Sequence, residues 1–275
     1  MTPVLDGDPV VLATLRARKD GCVACRESPS IFPFTMAFQP IVDLQKRRID
    51  GYEALVRGPG AEGAAYVLNQ VHAQNIYAFD QACRVKAIEM AARLGMDRQL
   101  SINFLPNAVY DPRACIQTTL QAATRSGFRL DRLTFEILES ETIVDTGHLQ
   151  SIIAEYRKQG FKIALDDFGT GYSDLARLGE LRPDILKIDR ALAKDCDQDP
   201  YRLAILAGIL RIGAELGIKV VVEGVEREAE VDALRSVGAR FIQGYYFARP
   251  LFEAIARDGD IRWSEHPVTA ALRRE

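Results

Sequence analysis

From residue 34 onward the chain alternates two hydrophobic patterns: short runs in which apolar residues recur at every second position, and longer runs in which they recur three and four apart. The first pattern lays one face of a strand against an apolar layer, and the second paints a stripe along a helix. Strands are predicted over 35–42, 48–56, 99–104, 132–138, 161–166, 184–189, 219–223 and 241–246, and helices over 64–74, 78–94, 112–125, 147–158, 202–216 and 226–237. Strands alternating with helices build a parallel sheet. Eight of them predict an α/β fold of the (β/α)8 TIM-like barrel type. Only 43–47 separate the first two strands, too few residues for a crossover helix, so this pair is predicted to be antiparallel. Residues 1–33 hold prolines, glycines and no sustained period, and read as an irregular lead-in to a domain over 34–258, with 259–275 as a C-terminal tail.

Strand parity separates two sets of residues. Ile102, Phe104, Leu133, Phe135, Ile137, Ile163, Leu165, Leu186, Ile188, Val220 and Val222 share the parity expected to face the helices. Glu53, Asn103, Glu136, Asp166, Lys187, Glu223 and Gln243 take the other parity near strand C-termini, where a barrel places its active site. Carboxylates gathered at one mouth repel one another unless cations neutralise them. Oxygen donors, with His72, His148 and His266 all away from strand ends, suit Mg2+ or Mn2+ rather than zinc.

The run Asp166-Asp167-Phe168-Gly169-Thr170-Gly171-Tyr172-Ser173 sharpens this picture. Neighbouring side chains on a strand face opposite ways, so both aspartates serve one site only if the strand bends there, a bend that Gly169 and Gly171 would permit. Alone, the run reads more readily as a solvated turn after a strand.

Charge and cysteine content bound the partners. Lys plus Arg number 35 and Asp plus Glu 38, for a net charge of -3, so there is no basic field for long nucleic acid. Five scattered cysteines, an odd number, suit a reducing compartment. Cys22 and Cys25 have the spacing of half a zinc site or a redox pair but lack a second half. No signal peptide is read in 1–15, and 203–216, interrupted by Arg211, is too short to span a bilayer, so a cytoplasmic protein is expected.

Eight ordered motifs together resemble the EAL-domain cyclic-di-GMP phosphodiesterase family. They are Phe38-Gln39-Pro40-Ile41-Val42, Glu53-Ala54-Leu55-Val56-Arg57, Ser101-Ile102-Asn103, Glu136-Ile137-Leu138-Glu139-Ser140, the Asp166–Ser173 run, Leu186-Lys187-Ile188-Asp189-Arg190, Glu223-Gly224-Val225-Glu226 and Gln243-Gly244-Tyr245-Tyr246-Phe247. A lone Glu-Ala-Leu is uninformative, whereas the ordered set is specific. The chain departs from the family in having no Trp after Arg57 and in placing Val222 where a small Ala is common.

The resemblance implies hydrolysis of one phosphodiester of cyclic-di-GMP, a bacterial second messenger, to linear pGpG, by water activated between two Mg2+ or Mn2+ ions, with Ca2+ inhibitory. By similarity, Glu53, Asn103, Glu136 and Asp166 would hold one ion, and Asp166 would bridge to a second held with Asp167. Lys187 would orient the water, and Glu223 would act as a base or a ligand through water. Gln39, Leu55, Arg57, Asp189, Gln243 and Pro250 are expected around the substrate, Asp189 and Gln243 from the supporting shell. Glu139 would anchor a loop containing Gly169, Thr170, Gly171 and Ser173, with Glu226 in support, and that loop would lie near the interface of a homodimer. The alternative is an inactive domain that binds cyclic-di-GMP and signals to a protein partner. Intact cation ligands count against it.

Overall fold

The structure, a computed structural model, describes residues 32–109, 111–138, 146–170 and 175–263. Nine strands form its sheet: β1 (Thr35–Asp43), β2 (Arg48–Arg57), β3 (Gln99–Asn103), β4 (Leu133–Leu138), β5 (Lys162–Phe168), β6 (Ile185–Ile188), β7 (Lys219–Val222), β8 (Phe241–Gln243) and β9 (Leu251–Phe252). Pairing runs β2-β3-β4-β5-β6-β7-β8-β1, and β1 closes back on β2, so eight strands make a barrel with β9 appended to β1. β1 is antiparallel to β2 and to β8, as the short connection at 43–47 requires, while β2 through β8 are parallel. Because β1 runs backwards, Gln39 pairs with Glu53 and Ile41 with Gln243, which brings two of its residues to the same level as the mouth carboxylates.

The helices are α1 (Ala64–Leu68), α2 (Ile76–Arg93), α3 (Pro112–Cys115), α4 (Gln117–Ser126), α5 (Thr146–Lys158), α6 (Leu175–Leu181), α7 (Arg190–Ala193), α8 (Pro200–Leu216) and α9 (Glu228–Ser236). The stretch predicted as one helix over 112–125 is broken at Ile116, and α6 and α7 were not expected from the sequence. Asp199 starts α8 by accepting the N–H groups of Tyr201 and Arg202, with Pro200 at the first helical position, and Gly217 ends it at φ 69°.

Every residue assigned by parity to the helix side lies in the main core between barrel and helices. Ile41, Ala164, Ile185 and Val221 form a separate small core, with Phe241 against it. These are inward-facing strand positions, so the barrel interior is packed with aliphatic side chains below its polar mouth.

Candidate active site

The parallel strands deliver their functional side chains toward their C-terminal ends, with Glu223 just past the end of β7. Alternation turns Glu53, Glu136, Asp166 and Lys187 inward, and all four are buried. They form one connected network. Lys187 Nζ lies 2.9 Å from Glu136 Oε2, 3.0 Å from Asp166 Oδ2, 2.8 Å from Glu223 Oε1 and 3.4 Å from Glu53 Oε2. Asn103 Nδ2 donates to Glu53 Oε1 at 3.2 Å, and Gln243 Nε2 donates to Glu53 Oε2 at 2.7 Å and to Gln39 Oε1 at 3.2 Å. The seven residues singled out by parity therefore meet, joined by Gln39 from the reversed first strand.

The electrostatics follow from one ammonium among four carboxylates. Burial pushes the Glu136 carboxyl up to about 8, with Lys187 opposing and Glu53 and Asp166 adding to the rise. Asp166 and Glu223 are likewise raised by burial against the pull of Lys187. Burial alone would lower the Lys187 ammonium, but Asp166, Glu136, Glu223 and Glu53 together hold it well above its usual value. Asp167, less buried, is raised to about 6 by burial and then by Asp166 and Asp189.

The expected bend is present, but it begins before the glycines. Asp167 itself takes the left-handed conformation at φ 58°, which aspartate tolerates better than most residues, and the β5–β6 register slips between Leu165 and Phe168. Asp167 donates its N–H to Asp166 Oδ1 at 2.9 Å, and oxygens of the two carboxylates come within 4.8 Å of each other. Gly169, at φ 105°, serves close approach: a Cβ there would lie 2.3 Å from Leu192 Cδ1. Thr170 Oγ1 donates to the Asp167 carbonyl at 3.0 Å and closes the turn. Glu139, Gly171 and Ser173 lie outside the described residues, as do Cys22 and Cys25.

The residues expected around a substrate are spread along the rim. Arg57 is half-buried, donates to its own Val56 carbonyl at 2.7 Å, and has its guanidinium lowered by burial against the influence of Tyr245 and Glu53. Leu55 is half-buried beside it, and Pro250 is half-buried beyond β8. Asp189 is occupied as the N-cap of α7, accepting the Ala191 N–H at 2.6 Å, and Glu226 is held by Arg190 at 2.6 Å. One pairing was not read from the sequence: Tyr245, inside the last motif, is exposed, and the Arg249 guanidinium stands 4.3 Å over its ring. Their spacing of four residues on a loop carries no periodic signal.

The donors fit hard divalent cations. Ligand oxygens of Glu53, Glu136 and Asp166 all lie within 4.8 Å of one another, as do those of Asp166, Asp167 and Glu223, so two oxygen-donor groups share Asp166. Glu136 Oε1 and Gln243 Oε1 are buried without a hydrogen-bond partner, leaving acceptor atoms open.

Fold and mouth together define an α/β barrel protein with a cluster of oxygen donors, able to hold cations, near the C-terminal ends of its parallel strands. Residues 26–250 match the EAL domain model, and the chain belongs to that family. It is similar to a standalone EAL protein from Vibrio cholerae O395 solved with c-di-GMP bound (46% identity, TM-score 0.79, 82% of this chain and 95% of that one). Klebsiella pneumoniae BlrP1, solved with c-di-GMP and manganese, is 33% identical with TM-score 0.77 over 82% of this chain and 58% of its own. The same protein has been solved with calcium and c-di-GMP, at 33% identity and TM-score 0.77 over 83% of this chain and 59% of its own. PdeN of Escherichia coli, a probable cyclic di-GMP phosphodiesterase, is 29% identical over 248 residues, covering 86% of this chain and 46% of PdeN. The chain spans between 30% and 59% of the length of several curated relatives.

Proposed function

We propose that the chain hydrolyses cyclic-di-GMP to linear pGpG in a reaction requiring two divalent cations, Mg2+ or Mn2+, with residues 34–258 as the catalytic domain. The observation that carries this reading is the sharing of Asp166 by two carboxylate groups at one barrel mouth, around a buried lysine. Glu53, Asn103, Glu136 and Asp166 would hold one cation, and Asp166 and Asp167 the other, with Glu223 beside them. Bound there, divalent cations supply positive charge to the phosphoryl oxygens and lower the pKa of an attacking water.

The remaining work falls to this chain's own groups. Lys187 stands among four carboxylates at the mouth, where its ammonium would orient the attacking oxygen. Glu223 is the carboxylate of the set with the most access to solvent, 16% exposed, and is placed to accept a proton. Arg57 offers a charged fork to a substrate phosphate, and Gln39, Leu55, Asp189, Gln243 and Pro250 line the path the substrate takes. Ca2+, larger and tolerant of looser geometry, would fill the site and support little turnover.

Among the described residues Cys83, Cys115 and Cys196 are buried and free, which supports action in a reducing cytoplasm. Among the described residues no helix is long and apolar enough to cross a membrane. A homodimer is supported by Tyr201, Ile205 and Leu216, which stand exposed along α8.

The deciding assay incubates the purified chain with cyclic-di-GMP and Mg2+ or Mn2+ and resolves the products chromatographically, with Glu53→Ala and Lys187→Ala as controls. Linear dinucleotide from the wild type and not from the controls is expected. Binding of the nucleotide without any linear product in either metal would overturn the enzymatic reading in favour of a receptor.

A further inference from the structure

Asn103 is exposed, and its amide donates to Glu53 Oε1 at 3.2 Å, so its aim depends on the backbone that carries it. That backbone is weakly tied. β2–β3 pairing stops at Ala54 opposite Ile102, which leaves Asn103 with a strand partner on the β4 side alone, at Glu136. Beyond it Phe104 donates its N–H to the Glu136 carbonyl at 2.9 Å, and Leu105 leaves the sheet in extended conformation, as a residue before proline must.

The Leu105 N–H is caught from outside the barrel. Asp80, on α2, accepts it through Oδ1 at 3.2 Å, while Asp80 Oδ2 is paired with Arg84 one helical turn on. Arg84 is fully buried, donates to the Tyr156 hydroxyl of α5 at 3.2 Å, and sets its guanidinium 5.6 Å over the Phe104 ring. Phe104 and Tyr156 are themselves in ring contact at 5.3 Å. An ion pair buried this completely gives little net stability compared with an apolar pair of similar size, and is better explained by the geometry it imposes. Here it brackets the two residues that follow Asn103, one through a hydrogen bond and one through its ring.

We propose that Asp80 and Arg84 are positioning residues for the cation site: through Leu105 and Phe104 they fix the backbone that aims the Asn103 amide at Glu53 and the first cation. The inference rests on reading Asn103 as a cation ligand. Residues behind a metal ligand typically alter affinity by about 10- to 100-fold when lost.

The test uses Mn2+ affinity, measured by calorimetry on the whole chain. Asp80→Leu with Arg84→Met removes the charges and the acceptor for Leu105, whereas Asp80→Asn with Arg84→Met removes the charges and keeps an acceptor oxygen. The first double variant should bind Mn2+ about tenfold more weakly, and the second should recover to within about twofold of wild type. Equal Mn2+ affinity in the folded first variant and the wild type would overturn the inference, as would a second variant no better than the first. Should the first variant fail to fold, hydrogen exchange at the wild-type Leu105 amide decides: slow exchange supports the tether, and exchange as fast as an open loop amide refutes it. A wild type that binds no Mn2+ would instead remove the cation reading itself and this inference with it.

Discussion

Lys187 Nζ donates to Glu136 Oε2 at 2.9 Å, and neither side chain is more than 1% exposed. The same ammonium touches Asp166 and Glu223, so it is the positive charge on which the cluster depends when no cation is present. Lys187→Met should therefore lower stability by about 3–5 kcal/mol, the scale for stranding buried charges. Mn2+ should restore most of that loss, because ligand that binds only the folded state stabilises it. Thermal unfolding of both proteins with and without Mn2+ checks this. A larger rise in midpoint for the variant than for wild type is expected, and a metal-free variant as stable as wild type would contradict it.

Asp167 contributes to one of the two oxygen-donor groups, and Asp166 to both. Asp167→Asn keeps a residue that tolerates the left-handed φ of 58° and removes a single carboxylate charge. Should the wild type bind two Mn2+ per chain and turn over as proposed, the variant should titrate with one and lose turnover by about 10-fold or more while remaining folded. Calorimetric stoichiometry is the measurement, and two tight Mn2+ ions in the variant would show that Asp167 holds neither.

Much of this arrangement is legible in the sequence because parity is unforgiving in a strand buried on both faces. In 133–137 the alternation of Leu133, Phe135 and Ile137 with Thr134 and Glu136 leaves a single orientation that buries three large apolar side chains against the helices. Short elements are another matter. α6 spans seven residues and α7 four, below the length at which a helical period declares itself, and α7 depends on Asp189 as its cap. The left-handed turn at Asp167 is hidden for a different reason, since the two glycines that follow it offer a more obvious place for the bend. Asp80 and Arg84 are hidden too: charges four apart on a helix ordinarily mark its solvent face, and only the packing of α5 against α2 puts this pair inside.

Along α8, Tyr201 is 82% exposed, Ile205 50% and Leu216 60%. With Gly208 these positions fall on one side of the helix, while Ile212 on the same side is half-buried against the main core, and three exposed large apolar side chains on one helix face suit a contact surface. If the chain pairs through this face, Tyr201→Glu with Ile205→Glu should convert the proposed dimer to a monomer, each charge costing about 2 kcal/mol or more where a buried contact is lost. Light scattering behind size exclusion reads the mass directly. An unchanged dimer would move the interface elsewhere.

At the hairpin end of the barrel Asp43 is wholly buried and accepts from Arg240 Nη2 at 2.7 Å and Nε at 3.1 Å, and from the N–H groups of Gln45 and Lys46. Burial pushes its carboxyl up, but the Arg240 hydrogen bond and the two backbone donors outweigh it and leave the folded value below 3.8. A depressed carboxylate stabilises the fold fully above its unfolded value, and that contribution is lost as pH falls through the folded one. Asp43→Asn should therefore cost about 1.5–3 kcal/mol at neutral pH, the worth of a hydrogen bond to a charged group. The gap to wild type should close as the pH drops past 3.8 toward the lower folded value. Urea denaturation of both proteins, carried from neutral pH into that acid range, measures the gap at each step. A difference that stays constant throughout would mean that Asp43 contributes by shape rather than by charge.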